Sequence, residues 1–69
     1  MQLSARNALQ GTVSAIDLGQ VMATVKLTLG DGQTVTAAIT REAVEQLGLE
    51  VGSPATAIVK ATEVILAVE

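Results

Sequence analysis

The feature that most limits what this chain can become is a two-residue hydrophobic alternation that recurs along its first forty positions. In Val21-Met22-Ala23-Thr24-Val25-Lys26-Leu27-Thr28-Leu29 the apolar residues fall on alternate positions, while Thr24, Lys26 and Thr28 face the other way. A period of two places every apolar side chain on one face of a pleated strand, the pattern of a strand buried on one side. Residues 9–15 repeat it more weakly, and residues 33–40 repeat it with Val35, Ala37 and Ile39 on one face. Gly30-Asp31-Gly32 between the second and third runs is a turn signal that makes them a hairpin. Asp17-Leu18-Gly19-Gln20 is the expected tight connection between the first two strands.

The period then changes. Thr40-Arg41-Glu42-Ala43-Val44-Glu45-Gln46-Leu47-Gly48 reads as one short helix, capped by Thr40, with Glu42 in its first turn and Val44 and Leu47 on a shared face. Gly48 suits the left-handed position that ends a helix. After the loop Glu50-Val51-Gly52-Ser53-Pro54, residues 55–60 and 62–68 are expected as two final strands. Three strands, a helix and two strands make an all-β fold: a small five-stranded OB-like Greek-key barrel with one short helix between strands 3 and 4. The last strand is apolar on both faces, with Val64, Leu66 and Val68 on one and Ile65 and Ala67 on the other. A small barrel has one interior, so the second face is expected to meet another subunit. No repeat, linker or low-complexity tract interrupts the chain, which reads as a single domain over residues 1–69.

Size sharpens that expectation. A domain of 69 residues buries only about 60% of its unfolded surface and is marginal alone. Small scaffolds close the gap with disulfides, metals, dense packing or oligomerisation. This chain has no Cys and no His, which removes disulfides and the usual zinc ligands. Its residues are 49% apolar yet none is aromatic, more aliphatic surface than one tiny barrel hides, and homo-oligomerisation is the remaining route. The most apolar stretch, residues 55–68, is interrupted by Lys60 and Glu63, whereas a membrane span needs roughly 20 apolar residues in sequence. The first seven residues lack the apolar core of a signal peptide. The expected location is cytoplasmic, with no membrane association.

Composition also narrows the chemistry. Without His or Cys, the usual base near neutral pH and the best nucleophile are missing. The acids fall in turns, on the exposed helix face or near chain ends; Glu42 and Glu45 read as a solvated face and Asp31 as a turn former. No glycine loop followed by Lys-Ser/Thr cradles a phosphate. The chain is therefore not expected to be an enzyme. Single-stranded nucleic acid, a frequent ligand of OB folds, requires aromatic platforms and a basic track. Here the net charge is −3 and the four cations, Arg6, Lys26, Arg41 and Lys60, are scattered, so no nucleic-acid partner is expected.

Three segments place a cation or hydroxyl beside free backbone donors. They are Ser4-Ala5-Arg6-Asn7 ahead of the first strand, Thr40 at the helix N-terminus, and Lys60-Ala61-Thr62 between the last two strands. Arg supplies a rigid fork of donors, Lys a point charge and the hydroxyls further donors, a shell suited to a tetrahedral oxyanion. Each piece also has a purely structural reading, as turn former, helix cap or solvated strand end, and periodicity does not say whether the three segments meet.

The run Ser4-Ala5-Arg6-Asn7-Ala8-Leu9-Gln10-Gly11-Thr12-Val13 resembles the opening signature of the molbindins, the molybdate-binding Mop proteins. Residues 35–40 with the following helix, Glu45-x-Leu47-Gly48-Leu49 and Ala57-Ile58-Val59-Lys60-Ala61-Thr62 extend the resemblance across nearly the whole chain. The resemblance implies an OB-like barrel assembled as a hexamer, a trimer of dimers, that stores or buffers molybdate at subunit interfaces and also accepts tungstate. By resemblance Ser4, Ala5, Arg6, Asn7, Thr40, Lys60, Ala61 and Thr62 are the molybdate-binding candidates, Thr62 standing where many relatives carry Ser. One subunit is expected to supply Arg6 and another Lys60. A second class of site is implied near the threefold axis, with Gly19, Gln20 and Val21 as its candidates. No organic cofactor is implied. The competing implication is a regulatory or structural module acting through a protein partner, as in transporter- and regulator-associated relatives. With Met1 first and no DNA-binding or ATPase segment, the free-standing storage protein is the expected form.

Overall fold

The computed structural model describes residues 6–69. Its elements run β1 (Asn7–Leu18), β2 (Met22–Leu29), β3 (Thr34–Thr40), helix α1 (Arg41–Leu47), β4 (Pro54–Val59) and a 3₁₀ turn over Ala61–Glu63. The strands form one antiparallel sheet in the order β3-β2-β1-β4. The first half of β1 pairs with β4, from Asn7↔Val59 to Thr12↔Pro54, and the second half pairs with β2, from Gly11↔Leu29 to Leu18↔Ala23. One long strand thus serves two neighbours and curls the sheet into an OB-like half-barrel.

That crossover explains Gly11. It lies where β1 is paired on both sides, and a Cβ there would sit 2.5 Å from the Thr28 carbonyl oxygen and 3.0 Å from Leu27 Cγ. Gly11→Ala therefore pushes backbone against backbone. Overpacking of this kind costs about 1–3 kcal/mol, and a thermal melt is expected to fall by about 10 °C for a domain of this size; an unchanged melting temperature would show that the strands can separate freely.

Two details of β1 differ from the alternation reading. The register slips between Val13↔Leu27 and Ala15↔Lys26, which makes Ser14 an extra, bulged residue. A bulge resets the alternation, so Ile16 rather than Ala15 follows Val13 into the interior, and Ser14 Oγ donates to the Lys26 carbonyl at 3.3 Å. Asp17 and Leu18 are strand residues paired with Thr24 and Ala23, not part of the turn. The turn is tighter, closed by Gly19 N–H donating to the Met22 carbonyl at 2.8 Å.

The second hairpin follows expectation. Asp31 accepts from the Gln33 amide at 3.1 Å and from Gln33 Nε2 at 2.7 Å, and Gly32 takes φ +89°. The Gln33 backbone donor, then its side chain, hold the Asp31 carboxyl below its ordinary value of 3.8. Because the folded value is the lower one, this turn's contribution is complete above the ordinary carboxylate range and is lost as pH falls through the folded value. An NMR titration is expected to show Asp31 ionising below 3.8, and an ordinary midpoint would contradict the Gln33 contacts.

Helix α1 closes one end. Thr40 Oγ1 accepts from the Ala43 amide at 3.0 Å, and Gly48 ends the helix at φ +63°. Val44 joins Val13, Ala23, Val25 and Leu27 as the buried core among the described residues, with Ile16, Val35, Ile39 and Leu49 packed against it. This is a small core for so aliphatic a chain.

The largest departure is at the C-terminus. β4 starts at Pro54, which an edge strand tolerates because it needs no donor on its outer side. The structure shows four strands among the described residues, not five: past β4 the chain makes the 3₁₀ turn and then runs on unpaired. Val64, Ile65, Leu66 and Val68 are 46%, 91%, 88% and 97% exposed. Alternation identified residues 62–68 as strand-competent, but a strand needs a neighbour, and the tail has none among the described residues. Among the described residues, no helix is long and apolar enough to cross a membrane.

Candidate functional site

The pairing of β1 with β4 builds the first cluster. Its last pair is Asn7↔Val59, so Arg6 and Lys60 are the next residues outward on neighbouring strands of the same chain. Both are exposed, and Asn7 between them is half-buried. The register places Arg6 and Lys60 of one chain at the same end of its sheet. Two positive charges converge there because β1 and β4 end in register, which no local pattern reveals.

Lys60 also heads the 3₁₀ turn, in extended conformation at φ −66° and ψ 137°. Glu63 N–H donates to the Lys60 carbonyl at 2.9 Å and Val64 N–H to the Ala61 carbonyl at 3.3 Å. The intervening amides of Ala61 and Thr62 have no backbone acceptor among the described residues, and Thr62 is exposed. Among the described residues the ion pair present is Arg41–Glu45, at 3.3 Å, so neither Arg6 nor Lys60 is neutralised by a described carboxylate. Ser4 and Ala5 lie outside the described residues. The cluster of Arg6, Asn7, Lys60, Ala61 and Thr62 is donor-rich, open to solvent and suited to an oxyanion.

Thr40 does not join that cluster within one chain. It pairs with Met22 at the opposite end of the sheet from the Asn7↔Val59 pair. There it lines a shallow polar recess with Gln20, Val21, Arg41, Glu42 and Glu45. Arg41 N–H donates to the Val21 carbonyl at 2.7 Å and Arg41 Nη1 to the Gly19 carbonyl at 3.3 Å. Thr40 thus sits with Gly19, Gln20 and Val21, the candidates for the second class of site. Arg41 is the residue that sequence reasoning missed: its place beside Thr40 was visible, but its contact with a hairpin 22 positions away was not. Glu42 and Glu45 make this recess less favourable to an anion than the Arg6–Lys60 end. The Thr40 hydroxyl already serves as acceptor for the cap, leaving its hydrogen as a donor.

A third feature is apolar. A cleft of about 350 Å³ opens between the free edges of the sheet, lined by Val35, Ala37 and Ile39 of β3 and by Ala55, Ala57 and Val59 of β4. Among the described residues no group of three His, Cys, Asp or Glu is placed to hold a metal cation.

The TOBE domain family matches residues 3–66. The probable molybdenum-pterin-binding protein of Haemophilus influenzae is 45% identical over 100% of this chain and 100% of its own length. The molybdenum transport protein ModE of Herbaspirillum seropedicae is 48% identical over 97% of this chain, which spans only 25% of that relative. Among solved structures, the cytoplasmic molybdate-binding protein ModG with molybdate bound superposes with a TM-score of 0.97 at 49% identity, over 100% of this chain and 49% of that one.

Proposed function

The chain belongs to the molybdenum-pterin-binding (Mop) family of TOBE domains, and we propose that it binds molybdate, and tungstate as well, without catalysing a reaction. The observation that carries this reading is the placement of exposed Arg6 and Lys60 at one end of the sheet, beside the amides of Ala61 and Thr62, which have no backbone acceptor among the described residues. A dianion there gains charge-assisted hydrogen bonds from a shell that consists of donors. Ser4 and Ala5 complete the sequence signature and belong to the same proposed site, while Gly19, Gln20, Val21 and Thr40 mark the second.

The sites lie at subunit interfaces of a homo-oligomer in this reading, a hexamer built as a trimer of dimers. Support comes from two halves of one surface. The cleft between β3 and β4 offers two rows of three inward residues, and the tail carries a row of the same length, Val64, Leu66 and Val68. A tail from a second copy laid between the two free edges supplies the missing fifth strand, pairs both edges and hides its apolar residues. The tail's other face, Ile65 and Ala67, then meets the donor's neighbourhood. Docking also withdraws the Lys60–Thr62 segment from bulk water, which strengthens its hold on an anion. The cellular role that follows is cytoplasmic molybdenum storage and homeostasis. The similarity to a quarter of ModE favours a second reading, a regulatory module acting through a protein partner.

Deleting residues 64–69 tests the assembly. The truncated chain is expected to sediment as a monomer and to lose molybdate binding even though Arg6, Lys60, Ala61 and Thr62 all remain. An oligomer of unchanged size that still binds molybdate would contradict interface sites.

A further inference from the structure

The 3₁₀ turn joins two features that the fold otherwise keeps apart. On its N-terminal side Lys60 and the amides of Ala61 and Thr62, which have no backbone acceptor among the described residues, belong to the proposed anion site; on its C-terminal side the exposed tail begins directly at Val64. Among the described residues the turn is held by two backbone bonds, Glu63 N–H to the Lys60 carbonyl and Val64 N–H to the Ala61 carbonyl at 3.3 Å. All three of its residues are exposed and no side chain caps it. A segment with so few buried contacts opens more readily than the sheet it leaves.

We infer that this turn is a ligand-locked hinge: an oxyanion bound at Lys60–Thr62 fixes the direction in which the tail leaves β4 and so holds the assembled state. The inference rests on the proposed site and the exchanged tail and adds a regulatory consequence to them. Without ligand the hinge pivots and subunits trade partners. With ligand, the anion bridges Arg6 at the start of β1 to the turn, and release of the tail requires release of the anion. Binding and assembly are then linked, each favouring the other by the same factor. At ligand a hundredfold above Kd, such linkage permits a slowing of partner exchange of up to about 100-fold.

The test mixes unlabelled and ¹⁵N-labelled full-length protein and counts mixed oligomers by native mass spectrometry over time. Urea is raised until the ligand-free protein scrambles within the observation period. Molybdate is expected to slow scrambling by at least about tenfold, within the limit set by linkage, and sulfate to leave it unchanged. A variant with two glycines inserted between Glu63 and Val64 is expected to bind molybdate while losing most of that slowing, because the tail is no longer steered by the turn. Molybdate adducts on an oligomer that scrambles at its ligand-free rate would overturn the hinge and leave the binding reading intact, as would full slowing in the insertion variant. An oligomer that gains no adducts would overturn the binding reading itself. Should the insertion prevent folding, hydrogen exchange decides: molybdate must protect the Glu63 and Val64 amides of the unmodified protein, and unchanged protection overturns the hinge.

Discussion

Replacing Arg6 and Lys60 together with alanine is expected to weaken molybdate binding by roughly 10²–10⁴-fold while leaving the oligomer intact. A hydrogen bond to a charged group contributes about 1.5–3 kcal/mol, and each 1.4 kcal/mol is about tenfold in affinity. Both side chains are exposed, so their loss removes no buried packing, and circular dichroism and oligomer mass are expected to match the parent. The single substitutions are expected to sum to less than the double effect, because one remaining cation still holds the dianion. Isothermal titration of the three variants checks this. Normal binding by the double variant would place the site elsewhere, with the Thr40–Arg41 recess as the remaining cationic end.

The second large effect concerns the fold. Leu27 is 6% exposed, pairs with Val13 on one side and Val35 on the other, and touches the tight crossing at Gly11. Leu→Ala at such a position costs about 2–5 kcal/mol. At about 0.05–0.15 kcal/mol per residue, the isolated chain has of the order of 3–10 kcal/mol in total. Leu27→Ala is therefore expected to remove about half of the separate subunit's stability and to make the melting of the assembled protein depend on concentration, since association favours the folded form. Dilution series followed by circular dichroism read this directly. A melting temperature independent of both mutation and concentration would show that the core lies elsewhere.

What could be read in advance follows the range of the interactions. The Gly30-Asp31-Gly32 hairpin, the Thr40 cap and the Gly48 helix end are set by residues within a few positions of each other, and the structure has all three. The bulge at Ser14 was not legible, because it answers the curvature that β1 must adopt to serve β2 and β4 together. The extra strand length at Asp17 and Leu18 likewise depends on partners Thr24 and Ala23 rather than on local preference. Gly11 stands within the resemblance signature beside candidate ligands, yet its role is steric, a distinction that only the approach of Thr28 makes.

The site divides in the same way. Residue chemistry picked out Arg6, Thr40 and Lys60 as donors, but their grouping is a matter of register. Arg6 and Lys60 share one end, and Thr40 stands at the other with Arg41. The two-faced apolarity of the tail was visible, and its excess over what one barrel needs appears in the structure as four large aliphatic residues in solvent. Its lack of a strand partner among the described residues was not, because a strand's neighbour is set by long-range pairing and not by local pattern.

The most direct test of the central reading is native mass spectrometry of the full chain titrated with molybdate and, separately, with sulfate. A hexamer that gains discrete molybdate adducts and ignores the smaller sulfate dianion is the predicted result. A hexamer that takes up neither anion, or takes up both alike, would contradict molybdate binding as the function of this protein.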